Sequence, residues 1–241
     1  MKVINTLELE TANLLEWFKI NSIAANPGKF QLMLLGNIGD IDIKFNVNNV
    51  ILKPKSCVKL LGVNIDCKLR FSEHVETLCK SASSKIKALF RIRPFLNMNS
   101  AKKLCEAYIL STFNYCPLIW MYGCKANNTL IERIQTRALR AVHFDFSSSF
   151  ETLLEKDASV SIHVKNLRCL LREVYKIVNR ESPKFLWDMF EIKPSSYDLR
   201  SGNRLYLPPT RTQTFGLNSL AFRGSLLWNS LPPDLTSVDF F

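Results

Sequence analysis

The 241-residue sequence has no adjacent pair of aspartates, no glycine-rich phosphate loop, no G-x-S-x-G and no H-E-x-x-H. Two-metal phosphoryl-transfer chemistry needs carboxylates that converge on ions about 3.5–4 Å apart. The nearest approach to such a group is Asp40 and Asp42 in GDIDIKF, at the start of an expected hairpin, and both read as solvated turn residues. His74 and Cys79 fall on one expected helix at a spacing that separates their faces, which argues against a Cys–His nucleophile. The seven cysteines include no C-x-x-C pair, and their number is odd. That pattern favours reduced, mostly buried thiols and an intracellular setting, nuclear or cytoplasmic. His74, His143 and His163 lack a cysteine pair at ligand spacing, so no zinc site is expected. There is no uninterrupted apolar run of about 18 residues, so no transmembrane helix is expected. The most apolar stretch, Tyr108–Gly123, contains Asn114 and Pro117 and reads as a buried helix. Glu8, Glu10 and Glu16 make the N-terminus unlike a signal peptide. Neither a membrane nor a small-molecule ligand is expected as a partner.

What the chain does have is a core and an uneven positive charge. Hydrophobic residues make up 47% and charged residues 22%, the balance of a globular protein. Net charge is +11. Residues 71–145 hold 11 basic and 5 acidic side chains, against 9 and 6 in residues 1–70 and 12 and 10 in residues 146–241. The excess therefore lies in the middle, which points to a polyanionic partner, nucleic acid first, or simply to a basic protein without one.

Three regions follow from patterning. Residues 1–70 read as α/β: a helix over Thr6–Asn21 with Leu7, Leu14, Leu15 and Phe18 towards a core, a turn at Asn26–Phe30, a strand at Gln31–Gly36, a hairpin in Asp42–Leu52 and a strand over Cys57–Asp66. Residues 71–145 read as helical. Ser72 is the expected N-cap of a helix stopped by Pro94, with Val75, Leu78, Cys79, Ala82, Ile86, Leu89 and Phe90 as its apolar stripe. A second helix is expected over Ser100–Tyr122, bent at Pro117, and a third over Asn128–His143 with Arg133, Arg137 and Arg140 on one flank. Residues 146–241 continue as helices at Val160–Arg180, in PKFLWDMF and at Leu217–Pro232, with a loop or hairpin over 193–216.

The stretch from Lys80 to Lys103 carries Lys80, Lys85, Lys87, Arg91, Arg93, Lys102 and Lys103 and no acidic residue. Lys80, Lys87 and Arg91 share a face that is either solvated or placed against phosphates. Lys85, Lys102 and Lys103 join them as candidate nucleic-acid contacts. Phe71, Phe90 and Phe95 are candidate stacking partners, although its spacing assigns Phe90 to the buried stripe.

Ordered motifs then carry a resemblance. LLEWFKINSIAANPGKFQLMLLG, followed by KLLGVNIDCKLRFSEHVETLCKSASSKIKALFRI, by AYILSTFNYCPLIWMYGCKANNTLIERIQTRALRAV and by GLNSLAFRGSLLWNSLPPDL, resembles the reverse transcriptase of non-LTR retrotransposons, LINE elements of the jockey type. The resemblance implies an α+β fold class: a small partial palm sheet in 1–70, a helical thumb in 71–145 and a helical C-terminal region in 146–241. It implies that the chain begins after the Asp-Asp turn of the palm, so the ligands for the family's magnesium are absent and no cofactor is expected. Lys29 matches the lysine of an Asn-x-x-Lys motif placed near the incoming nucleotide's phosphates. Leu61 and Gly62 match a Leu-Gly turn that supports the primer end. Phe30 departs from the small hydroxyl residue frequent after that lysine, Leu60 replaces a frequent aromatic, and the Cys/His-rich knuckle of some relatives is missing. The function so implied is that of a catalytically inactive polymerase remnant which retains weak, sequence-independent binding to primer–template duplex or RNA. The alternative is a basic helical module for nucleic-acid or protein interaction without that ancestry.

Overall fold

The computed structural model describes residues 2–36, 44–47, 50–193, 204–232 and 235. Asp40 and Asp42 lie outside these residues. The chain is α+β and divides into two units, Met1–Leu69 and Arg70–Phe241.

The first unit opens with α1 (Lys2–Ile20) and a 3-10 turn at Pro27–Lys29. Strands β1 (Phe45–Val47) and β2 (Val50–Leu52) pair antiparallel, with Phe45 and Val47 buried and Asn46 outward, the period-2 pattern of a half-buried strand. The Asn46 amide donates to Glu8 Oε1 at 2.9 Å and ties α1 to β1. Leu7 and Leu14 are exposed, and Leu15 and Phe18 only half-buried, so the expected core face of α1 is not covered. Among the described residues its packing partner is β1, a strand three residues long and too short to cover nineteen helical residues. The expected strand at Gln31–Gly36 is reduced to one parallel bridge, Leu32 to Pro54, closed by the Lys55 amide on the Leu32 carbonyl at 2.8 Å. Pro54 has no amide hydrogen to extend a ladder. The expected single strand over Cys57–Asp66 is instead a hairpin of β3 (Cys57–Leu60) and β4 (Val63–Asp66). Leu61 and Gly62 form its two-residue turn with φ of 45° and 89°, positive at both positions as a type I′ turn requires.

The second unit begins with α2 (Ser72–Ile92). Phe71, buried and left-handed at φ 55°, occupies the cap position, so Ser72 lies inside the helix and is not its N-cap. Val75, Cys79, Ala82, Ile86 and Leu89 are buried along one side, while Leu78 and Phe90 at its margins are half-buried. Pro94 falls in a 3-10 turn that ends the helix. The expected helix over Ser100–Tyr122 is broken into pieces. α3 (Met98–Leu104) runs into a π turn at Cys105–Ile109 and a 3-10 turn at Leu110–Phe113, and α4 (Pro117–Trp120) starts afresh. Proline lacks the amide needed inside a helix but is preset for its first position, so Pro117 starts a helix where a bend was expected.

Helix α5 (Lys125–His143) packs on α2. Asn127 Nδ2 donates to the Arg70 carbonyl at 3.0 Å, Arg137 Nη1 to Ser83 Oγ at 3.4 Å and Arg93 Nε to the Val142 carbonyl at 2.6 Å. These pairs rise together along both helices, so α2 and α5 run parallel. Helices α6 (Phe150–Asp157), α7 (Ile162–Val178) and α8 (Leu220–Asn229) complete the unit. Ser149, Ser161 and Ser219 cap them through side-chain oxygens that accept backbone amides. Buried Gln135 donates to the Val160 carbonyl and accepts from the Ile162 amide, anchoring the start of α7 on α5. A second core gathers Leu170, Val174, Ile177, Phe190, Leu205 and Trp228. In the expected loop or hairpin, Ile192 and Leu205 form an antiparallel bridge, and residues 194–203 lie outside the described part.

Candidate nucleic-acid interface

Buried side chains on α2 define where its cations must go. At 3.6 residues per turn, Lys80, Ser84, Lys87 and Arg91 recur at four- and three-residue steps on a stripe away from that core, and all four are exposed. Lys80 lies 3.9 Å from Glu76, one turn back. Both are well exposed, so the pair contributes little and leaves the lysine free to exchange partners.

The other candidates divide. Lys85 lies on the opposite flank of α2, donates to Thr112 Oγ1 at 2.8 Å and sits 4.9 Å above the Tyr108 ring. Lys102 reaches Asp157, at 3.3 Å to its carboxylate and 3.1 Å to its carbonyl, and the same carboxylate meets His143 Nε2 at 3.0 Å. Lys103, one position on, is exposed. Thus the six lysines and arginines named from sequence do not form one cluster: Lys80, Lys87 and Arg91 share a stripe, while half-buried Lys85 and Lys102 are engaged by Thr112 and Asp157. Lys29, Leu61 and Gly62 belong to the first unit. Lys29 ends the 3-10 turn, its amide on the Asn26 carbonyl at 3.1 Å and its side chain exposed. Leu61 and Gly62 are both exposed.

Arg93 is the member of the basic tract that burial removes from any surface. Besides the Val142 carbonyl it binds the Leu96 carbonyl at 2.8 Å and approaches Met98 Sδ at 3.8 Å, with its guanidinium 5.1 Å from the Phe144 ring centre. Arg137 makes the opposite move. Its contact with Ser83, three residues after Lys80 and four before Lys87, brings it beside the α2 stripe. Sequence spacing put Arg137 on a flank of α5 but could not show which helix that flank meets. Among the aromatic candidates, Phe71 is buried, Phe90 is half-buried and stacked on Phe146 with ring centres 6.0 Å apart, and Phe95 is exposed.

Among the described residues no group of three or more His, Cys, Asp or Glu side chains could hold a metal ion. Asp66 turns back to accept the Lys68 amide at 3.1 Å. His74 packs against Trp120, ring centres 6.2 Å apart, and burial together with Glu76 pushes the Cys79 thiol up to about 11, leaving it a core group. No helix among the described residues is long and apolar enough to cross a membrane.

Two curated proteins give partial matches. One is the "Probable RNA-directed DNA polymerase from transposon BS" of Drosophila melanogaster, 27% identical over 135 residues, which cover 52% of this chain and 14% of that protein. Another is the "Uncharacterized protein B0403.1" of Caenorhabditis elegans, 26% identical over 124 residues, which cover 50% of this chain and 63% of the relative. The chain thus matches only a small part of the polymerase and less than two thirds of the worm protein. No protein-family model matches the sequence, and no solved structure matches it. The partial similarity to the transposon polymerase supports a reverse-transcriptase-related origin.

Proposed function

We propose that this polypeptide is a thumb-like relative of a non-LTR retrotransposon reverse transcriptase that binds nucleic-acid backbone and does not itself polymerise. Residues 1–70 take the part of a partial palm and 71–145 that of the thumb. The observation that carries the reading is the exposed stripe of Lys80, Lys87 and Arg91 on α2, joined from α5 by Arg137. Such cations neutralise phosphates without reading bases, so binding is independent of sequence and depends on salt. Each phosphate contact contributes roughly 0.9 to the slope of log affinity against log salt. Replacing Lys80, Lys87 and Arg91 by glutamine is therefore expected to lower the slope on a labelled duplex or RNA–DNA hybrid by about 2.7. Over a fourfold rise in salt that difference amounts to roughly 40-fold in affinity. An unchanged slope in fluorescence anisotropy rejects the stripe as the contact.

The absence of polymerisation is proposed from the sequence, which has no adjacent aspartate pair. Without carboxylates to hold metal ions, a primer 3′-hydroxyl is neither activated nor aligned. Primer extension with magnesium or manganese tests this, and template-directed incorporation by the purified chain overturns it. A second reading, an interaction module, draws on the exposed Val3, Leu7, Leu14, Trp17 and Ile20 of α1. Light scattering that shows a monomer with a sharp thermal transition counts against it.

A further inference from the structure

Where α2 and α5 end together, the surface becomes aromatic. Phe90 and Phe146 stack with ring centres 6.0 Å apart and planes 16° from parallel. Phe90 is half-buried, so the open side of the pair belongs to Phe146, which is 60% exposed. Phe144 is 48% exposed, its ring beside the buried Arg93 guanidinium, and Phe95, two residues beyond Arg93, is 87% exposed. Phe146, Phe144 and Phe95 are thus open to solvent in the segments that follow α2 and α5, and Phe146 is the one that stacks on Phe90.

The chemistry around the patch selects its partner. Lys87 precedes Phe90 by three residues and so adjoins it on the helix surface, and Arg91 follows directly. Asp145, between Phe144 and Phe146 in sequence, is occupied by Lys156 at 2.9 Å and by the Ser148 hydroxyl at 2.8 Å. Those contacts engage its charge within the protein. Exposed flat rings beside cations suit unpaired nucleobases, whose faces stack on aromatic side chains while the phosphates lie on the basic stripe.

We infer that Phe146, stacked on Phe90, forms a stacking platform for unpaired bases at the end of the α2 cation stripe, so that the chain prefers single-stranded nucleic acid, or a junction with it, to backbone alone. The inference rests on the backbone-binding reading above and adds base recognition to it. Paired bases in a duplex have no faces to offer, so the platform contributes only where bases are unstacked.

The experiment compares the full chain on a labelled oligo-dT of roughly 16 nucleotides with an abasic strand of the same length and charge. The expected result is binding at least about tenfold tighter to the strand that carries bases. Phe146→Ala should weaken oligo-dT binding by about tenfold while leaving abasic binding and the salt slope unchanged. Equal affinity of the wild-type chain for both strands, which needs no variant, overturns the inference. So does an absence of single-strand binding, or affinity for oligo-dT unaltered in Phe146→Ala. A patch that serves instead as an interface between copies would show concentration-dependent sedimentation abolished by Phe146→Ala and no base preference, which also overturns it. If the glutamine variants of Lys80, Lys87 and Arg91 leave the salt slope intact while the base preference persists, the stripe fails and the platform stands. The reverse pattern removes the platform alone.

Discussion

Arg93 offers the sharpest separation of a structural cation from a binding one. Arg93→Met keeps a flexible stem of similar length and removes the guanidinium. The wild-type group donates to the carbonyls of Val142 and Leu96, at 2.6 and 2.8 Å, and lies 8% exposed. Val142 is in the last turn of α5, where carbonyls have no partner within their own helix, so Arg93 acts as a cap delivered from a neighbouring helix. A hydrogen bond from a charged donor contributes about 1.5–3 kcal/mol, and stranded acceptors add their desolvation. Loss of a buried arginine's own desolvation cost offsets part of this, which leaves a net destabilisation of about 3 kcal/mol. With a urea dependence of about 2 kcal/mol per molar, the unfolding midpoint should move down by roughly 1.5 M. Urea titration followed by circular dichroism measures it, and the salt slope of oligonucleotide binding should not change. A variant that unfolds within about 0.5 kcal/mol of wild type refutes the capping role. A slope that falls by about 0.9 would show instead that Arg93 touches phosphate.

Burial, with nearby carboxylates, raises the Cys79 thiol to about 11 and the Cys105 thiol to about 12, from 9.0 when exposed. The neutral thiols favour the folded state, so their contribution is complete below pH 9.0 and fades as pH climbs through about 11. Denaturation midpoints should fall across that window, and near pH 8 a disulfide reagent should label exposed Cys124 well before either buried thiol. Equal labelling rates would contradict the burial. Leu61 pays for a left-handed φ of 45° with an exposed side chain, and Asn-Gly is the favoured pair for its turn, so Leu61→Asn should stabilise the β3–β4 hairpin by about 1 kcal/mol. Slower amide exchange at Val58 and Ile65 is the expected readout, and faster exchange would count against the turn assignment.

Much of the helical half was legible from spacing. The buried side of α2 follows its period, as do Ile131, Ile134, Ala138 and Val142 on α5, because an amphipathic helix writes its buried face into local sequence. The exposed stripe of Lys80, Lys87 and Arg91 is the complement of that pattern and was equally readable. The first seventy residues were less so. A strand's period of two does not show where the chain reverses, so Cys57–Asp66 read as one strand although Leu61 and Gly62 turn it into a hairpin. The apolar positions of α1 signalled a core face, but short strands supply too little surface to cover it.

Composition and periodicity set the α+β character, the basic middle of the chain and the side of α2 that faces solvent, since each depends on residues within a few turns of one another. Tertiary packing alone assigned the cations and the rings. It buried Arg93, engaged Lys85 with Thr112 and Lys102 with Asp157, delivered Arg137 from a parallel helix and set Phe146 on Phe90. Each of those outcomes depends on which residues, distant in sequence, compete for the same space and the same hydrogen-bond partners.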